Sequence, residues 1–410
     1  MRIGFFFKNE QLDGLDISKP ELGNPGCGGR EYMNVAIAHV IASYFPDTFE
    51  VTVFSSRPVT FPSKIQGPSV GSLAMAFHCA SNRGVDVFVT DTSVSFDNVK
   101  TMIQEANQAG LQLAVRMGLT PSPSIVNLLA DSPNVVAVIC VDRQLYEFLQ
   151  DHRISAKTTV IPNFLFRNNM MSVLPPQSGR RSVVYIGSLV PQKGFGLLAR
   201  AWPAVQSKLP DANLTVIGSG QLYRRDATLG AWGVATEKFE RNHIRPFLSG
   251  KDGKPLETVH FAGRLGNEKW DVLRNASIGI VNPTGRTERC SVASLEVQSV
   301  GIPIIAGRRD GLLDTVEDGE TGYLVNSRTQ LEQRICDLLS DPVLRARLGL
   351  NGRNFILDRF TDDVAAESWA KLFFSIKNKA PIPDVQLRHQ AASVSTLIAR
   401  SRYRMWGVFR

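Results

Sequence analysis

The stretch "YIGSLVPQKGFGLLARAW" (Tyr185–Trp202) reads as a strand ending at Gly187, a turn carrying Pro191 and Lys193, and a helix beginning near Gly194. Its strand starts further back, as "SVVYIG" from Ser182. That run is apolar without alternation, so both of its faces should be buried, as in a parallel sheet. A single strand-turn-helix step is common, and the question is whether it repeats. Downstream it does, at "LTVIG" (Leu214–Gly218), "VHFAG" (Val259–Gly263), "IGIVNP" (Ile278–Pro283), "PIIAG" (Pro303–Gly307) and "GYLV" (Gly322–Val325). Upstream lies a separate series: Ile3–Phe7, "VTVF" (Val51–Phe54), "VDVFVT" (Val85–Thr90), "LQLAV" (Leu111–Val115), "VVAVICV" (Val135–Val141) and "TTVIP" (Thr158–Pro162). Strands alternating with helices build doubly wound α/β domains.

Between the two series, "RNNMMSVLPPQSGRR" (Arg167–Arg181) has prolines, a glycine and no periodicity, which reads as a linker. The expected organisation is a first Rossmann-like domain over 1–166, a linker over 167–181 and a second such domain over 182–360. A C-terminal helix over 361–380 and a basic tail over 381–410 follow. A chain of 410 residues exceeds one ordinary core, which rarely grows beyond roughly 250 residues.

Composition narrows the function classes. Hydrophobic residues at 43% and charged residues at 20% mark a folded protein rather than a disordered one. No apolar run approaches the roughly 18 residues that would span a bilayer. "MRIGFFFKNE" lacks the long apolar segment of a signal peptide and reads as a first buried strand. Five scattered cysteines without a CxxC pair argue for reduced thiols, no zinc site and a cytoplasmic address. The net charge of +8 favours anionic partners. Basic residues are dispersed and no recognised module is present, which argues against nucleic acid. The tail from Gln386 carries five arginines among aromatic residues and no acid. It reads either as a solvated or partly packed terminal helix, or as a segment lying on an anionic membrane surface at the inner face of the plasma membrane.

In open α/β sheets ligands bind just beyond the carboxyl ends of strands, and the unusual local sequences lie there. "GNPGCGGREYMNVAIAHVIASYF" (Gly23–Phe45) places Gly28 and Gly29 before a helix whose apolar face is Met33, Ile37, Val40, Ile41 and Tyr44. Free amides and the helix dipole there favour an anion, although a plain loop fits the residues equally well. Lys193, on its strand-to-helix turn, could neutralise a diphosphate or be an ordinary surface lysine. In "NPTGRTERCSVASLEVQSVGIPIIAGRRDGLLDTVEDGETGYLV" (Asn282–Val325), Glu288 lies in a loop after a strand and Glu296 in the next helix. The junction at Cys290, Ser291 and Val292 offers further free amides.

These motifs, with "VHFAGRLGNEKW" and "RARLGLNGRNFILDRFTDDVAAESWAKLF", resemble the retaining nucleotide-sugar glycosyltransferases of family four over Ser182–Phe373. The resemblance implies the GT-B fold, with two Rossmann-like domains facing across a cleft. It implies transfer of a sugar from a nucleotide-diphosphate sugar to a glycan or lipid-linked acceptor, with no metal and no cofactor beyond the donor substrate. Lys193 would bind the donor diphosphate, Glu288 the sugar and Glu296 the ribose. The amides of Gly28, Gly29, Ser291 and Val292 would hold phosphates beside Cys290, and Gly263, Arg264 and Leu265 would flank the base. Two departures stand out. Ser188 occupies the place where the family commonly has a donor-binding arginine, with Arg286 or Arg30 as candidate substitutes. Arg116 and Met117 stand where many members carry a histidine. The second departure leaves room for a nucleotide-sugar epimerase or hydrolase, or a catalytically silent scaffold. The joint presence of Lys193, Glu288 and Glu296 argues for the transferase.

Overall fold

Apolar runs too short for helices and rich in Val and Ile form two sets of parallel strands in the computed structural model, which describes residues 1–10, 12, 14–168, 181–222, 226–383 and 403. The chain divides into two compact units. One comprises Met1–Pro20, Gly29–Asn163 and Asp362–Arg410, and the other Glu21–Gly28 and Phe164–Thr361.

In the first unit, β1 (Arg2–Phe7), β3 (Glu50–Ser55), β5 (Val87–Asp91), β6 (Gln112–Met117), β7 (Val135–Cys140) and β8 (Thr158–Val160) pair in the order β3-β1-β5-β6-β7-β8, while β2 (Leu15–Asp16) and β4 (Val59–Thr60) form a short separate ladder. Ile3 of β1 aligns with Val51 on one side and Val87 on the other, so the winding reverses between β1 and β5. The core beneath this sheet is aromatic, with Phe88 stacked on Phe54 at 5.9 Å and edge-on to Phe77 at 4.9 Å. Burying each such ring contributes roughly 1.5–3 kcal/mol.

The second unit orders β9 (Ser182–Ile186), β10 (Asn213–Ile217), β11 (Val259–Gly263), β12 (Ile278–Val281), β13 (Ile304–Gly307) and β14 (Gly322–Val325) as β11-β10-β9-β12-β13-β14. Val184 of β9 aligns with Thr215 of β10 and with Gly279 of β12, which places the reversal between β9 and β12. Trp202, Tyr185 and Phe195 fill its core with no exposed surface. Each sheet is a doubly wound parallel sheet, and each has one switch point, where neighbouring loops splay apart and open a crevice.

The helix expected from Arg30 spans Gly29–Tyr44, but its burial is wider than one face. Tyr32, Asn34, Val35, Ala36, Ala38 and Ala42 are buried as well as Met33, Ile37, Val40 and Ile41. The C-terminal helix Asp362–Lys377 packs against it, so a side that sequence periodicity left polar or small is covered. Tyr44, expected inside, is 48% exposed, and its hydroxyl donates to Asp362 Oδ2 at 2.9 Å. The position caps the helix end rather than its core face.

The expected linker over 167–181 lies outside the described residues except at its ends, and so does most of the tail over 381–410. Of the tail, Thr159 Oγ1 donates to the Pro383 carbonyl at 2.5 Å. Tyr403 is buried in the first unit's core, stacked on Phe148 at 6.3 Å, with its hydroxyl donating to the Pro121 carbonyl at 2.6 Å. Among the described residues no helix is long and apolar enough to cross a membrane.

Candidate functional site

A polar cluster of the second unit sits at its switch point. Lys193 belongs to a short 3-10 turn, Pro191–Lys193, after β9, and Glu288 to the loop after β12. The two meet directly, with Lys193 Nζ donating to Glu288 Oε2 at 2.7 Å and side chains 15% and 13% exposed. Tyr185, rising from the core on β9, donates its hydroxyl to the Lys193 carbonyl at 2.7 Å and fixes the turn. Gly194 follows with φ of 74°, and a Cβ there would come within 3.1 Å of Asn282 Oδ1 and 3.0 Å of the Thr284 amide nitrogen. Only glycine satisfies both the left-handed backbone and that close approach.

Asn282 completes the arrangement, although sequence reasoning had assigned it nothing. It is 2% exposed and adopts φ of 36°, rare for any residue but least unfavourable for Asn. Its amide nitrogen donates to Glu288 Oε2 at 3.0 Å and to the Arg286 carbonyl at 2.9 Å, while Oδ1 accepts from Thr284 Oγ1 at 2.9 Å. The Glu288 backbone is held from the other side, where its carbonyl accepts from the Gly311 amide at 2.9 Å. Arg289 pairs with Asp310 at 3.3 Å across the same two loops. Oε2 of Glu288 therefore takes two donors, while no described group donates to Oε1. The only signal for Asn282 in the sequence was its place as the first residue after a strand.

Glu296 lies in the helix Val292–Ser299, as expected, but it is paired. Lys269 Nζ donates to Glu296 Oε1 at 2.6 Å, with both side chains 7% exposed. Lys269 lies within "VHFAGRLGNEKW", and nothing in its spacing ties it to a helix 27 residues on. The two glutamates thus share one pattern, an oxygen clamped by a lysine and an oxygen left without a described donor.

The remaining expected residues divide. Ser291 is the N-cap of the helix, its hydroxyl accepting from the Ser294 amide at 3.3 Å, which leaves the amides of Ser291 and Val292 at the helix start. Cys290 is buried beside them. Ser188 is 1% exposed and its hydroxyl donates to the Ser219 carbonyl at 3.2 Å, so its side chain braces two loops. Arg286 is exposed in the Glu288 loop, and Arg30 is exposed in the first unit beside Glu31. Gly263, with Arg264, borders a pocket of about 450 Å³ that also touches Ser219, Gln221, Trp232 and Phe261. Leu265 packs onto the adjacent apolar cluster. The pocket wall over 232–234 is held by Glu240, a carboxylate with no exposed surface that accepts from the amides of Trp232, Val234 and the adjoining Ala235 at 2.8–3.0 Å.

In the opening glycine stretch, Asn24 Oδ1 takes the amides of both Gly26 and Cys27 at 2.9 Å. An anion-binding reading of the loop therefore narrows to Gly28 and Gly29. Gly28 is grouped with the second unit, while Gly29 begins the helix of the first.

The first unit's switch point carries a charged cluster that sequence reasoning had noted only as a departure. Arg116 is 2% exposed, with Nε on Asp91 Oδ1 at 2.9 Å and Nη2 on the Arg30 carbonyl at 2.9 Å. Asn34 donates to Asp91 Oδ2 at 2.8 Å and to the Phe6 carbonyl at 3.3 Å. The guanidinium ties β5 and β6 to the first turn of the helix Gly29–Tyr44. Among the described residues no three His, Cys, Asp or Glu side chains converge as a metal site would require.

Comparison with known proteins bears on this geometry. Residues 180–341 match the family model described as glycosyl transferases group 1, so this part of the chain is a group 1 glycosyltransferase domain. A GDP-mannose-dependent alpha-(1-6)-phosphatidylinositol monomannoside mannosyltransferase of Mycolicibacterium smegmatis is 28% identical over 194 residues, 44% of each chain. The monoacylated-substrate counterpart of Corynebacterium glutamicum is 31% identical over 189 residues, 44% of this chain and 43% of its own. The matches span less than half the length of these relatives. Among solved structures, sucrose-phosphate synthase from Thermosynechococcus elongatus aligns with a TM-score of 0.69 at 16% identity, over 93% of this chain and 100% of that one. Anabaena HepE in complex with UDP aligns at 0.64 and 17% identity, over 92% and 100%. The fold is GT-B, two parallel-sheet Rossmann-like domains.

Proposed function

We propose that this chain transfers a sugar from a nucleotide-diphosphate sugar to a glycan or lipid-linked acceptor, with retention at the anomeric carbon and without a metal ion. The observation that carries the reading is the convergence of Lys193, Glu288 and Asn282 at the switch point of a group 1 glycosyltransferase domain. Breaking the bond from sugar to diphosphate leaves growing negative charge on phosphate oxygens, and groups aimed there in advance are the largest lever a site has. In this reading Lys193 supplies the cation, the amides at the start of Val292–Ser299 supply dipoles, and Glu288 Oε1 faces the sugar. Glu296 holds the ribose, and the pocket bounded by Gly263 and Arg264 takes the base. The relatives named for GDP-mannose suggest a guanine nucleotide and mannose, while the HepE complex suggests uracil, so both donor classes belong in the test.

The test incubates the protein with GDP- and UDP-sugars, with and without lipid-linked and glycan acceptors, and follows both nucleoside diphosphate and glycosylated product. A product whose new linkage keeps the donor's anomeric configuration, formed equally well in excess EDTA, is the expected result. Inversion or an EDTA-sensitive rate would overturn those two parts separately. Free sugar without acceptor product would point to a hydrolase, and no nucleotide binding at all to a silent scaffold. We further propose a cytoplasmic address with the tail's arginines on an anionic membrane, Tyr403 staying in the core of the first unit. Replacing Arg400, Arg402, Arg404 and Arg410 with Gln, which keeps Tyr403, should then weaken binding to anionic vesicles, and equal binding would remove the idea.

A further inference from the structure

The Lys269–Glu296 pair is placed where stability alone would not put it. Burying an ammonium is costly even when it is paired, and apolar side chains of similar volume commonly do as well. Lys269 is also the first residue of the helix Lys269–Arg274, where the helix dipole disfavours a cation. Yet its side chain is 7% exposed and its ammonium reaches Glu296 Oε1 at 2.6 Å, with the Trp270 ring centroid 5.4 Å away. The glycine-rich stretch passes close by within the same unit. Gly23 has φ of 118°, and a Cβ there would lie 3.4 Å from Asn267 Oδ1 and 4.0 Å from Lys269 Nζ. No described group donates to Glu296 Oε2.

We propose that Lys269 is a positioning residue for Glu296: it fixes the carboxylate through Oε1 so that Oε2 is presented to the hydroxyls of the donor's ribose. The proposal rests on the nucleotide-sugar reading given above. A carboxylate so held has one rotamer and one free oxygen, and its selectivity is for a ribose over a 2′-deoxyribose. A hydrogen bond to a charged group corresponds to roughly tenfold or more in affinity, which sets the scale of that preference.

The experiment is titration calorimetry of the full chain with GDP and UDP and with their 2′-deoxy analogues. Wild type should prefer the ribonucleotide by about tenfold or more, and Glu296→Gln should reduce the preference. Lys269→Met should bring it below about threefold while leaving affinity for the deoxy analogue nearly unchanged, and Lys269→Arg should restore it. Lys269→Met leaves a buried carboxylate alone, so the double variant Lys269→Met/Glu296→Gln, which removes both charges, serves if the single variant does not fold. Its ribose preference should equal that of Glu296→Gln. A Lys269→Met protein that binds both sugars equally more weakly, with the preference intact, would show a merely structural role and overturn the proposal. So would a double variant that keeps a ribose preference Glu296→Gln has lost. Wild type that binds neither nucleotide would overturn the functional reading, and the proposal with it.

Discussion

Replacing Asn282 separates backbone strain from hydrogen bonding at the centre of the site. The residue is buried at φ of 36° and donates to Glu288 Oε2 and to the Arg286 carbonyl. Asn282→Ala removes both donated bonds and leaves a non-glycine residue in the left-handed region without the local side-chain bonding that makes Asn tolerable there. The bond to a carboxylate contributes roughly 1.5–3 kcal/mol and the bond to a carbonyl roughly 1 kcal/mol. The left-handed backbone adds roughly 1–2 kcal/mol for alanine. The expected loss for Asn282→Ala is therefore about 4.5 kcal/mol; Asn282→Gly escapes that penalty but loses roughly 0.4–1 kcal/mol through its freer unfolded chain, for a loss of about 3.5 kcal/mol. Glycine should thus be the more stable of the two variants. That order inverts the usual one, in which alanine gains roughly 0.4–1 kcal/mol over glycine through the unfolded chain.

Urea unfolding followed by tryptophan fluorescence would measure the difference in a background with Trp369 and Trp406 replaced by Phe, because the remaining Trp202, Trp232 and Trp270 all lie in the second unit. Two units need not unfold together, so the variants are compared at the transition that these tryptophans report. If alanine proves as stable as glycine, the strain argument fails. If both lie within about 1 kcal/mol of wild type, the hydrogen bonds to Glu288 and Arg286 are not stabilising, and the site's geometry must be held by something else.

Other perturbations test neighbouring parts of the structure. Lys193→Met should reduce turnover of a nucleotide sugar by about a hundredfold or more, as loss of a group opposing developing charge does, and an unchanged rate in a donor-saturated assay would remove the lysine from the chemistry. Glu240→Gln can keep its oxygen on the amides of Val234 and Ala235 but turns its NH2 toward the Trp232 amide, for a loss of about 2 kcal/mol in urea melts. A loss below about 0.5 kcal/mol would show that water replaces the carboxylate there. His152 is buried, and desolvation holds its imidazole below the usual value. Its Nδ1 accepts from the Ile154 amide, and its Nε2 meets Asn127 Oδ1 at 2.9 Å, which fixes the neutral form. The unfolded chain binds this proton more readily, so stability is full above about pH 6.5 and falls as pH drops below it, until the folded imidazole also protonates. The slope of the urea midpoint between pH 7.5 and 5.5 should flatten in His152→Asn, and an unchanged slope would refute the assignment.

The strands were legible because parallel strands buried on both faces must be apolar along their whole length, and a run such as Val135–Cys140 has no other reading. The helix Gly29–Tyr44 was only half legible. Periodicity reports a polar face but cannot foresee that Asp362–Lys377, more than three hundred residues away, would cover it. No local signal joins Lys193 to Glu288. Their direct contact follows from strand order, because β9 and β12 become neighbours only once β10 and β11 lie to one side, and no local pattern encodes that.

The same topology explains why the partners, rather than the carboxylates, escaped notice. A glutamate in a loop after a strand is unusual for its place, whereas Asn282 and Lys269 look ordinary until their distant acceptors are known. Each stands in a context that disfavours it, Asn282 in the left-handed region and Lys269 buried at a helix N-terminus. Residues held against their own local preference mark the places where the fold is specifying a geometry, which is expected where a site must be rigid. In this chain both of them act on the oxygen of a glutamate, and each leaves that glutamate one oxygen to spend on something else.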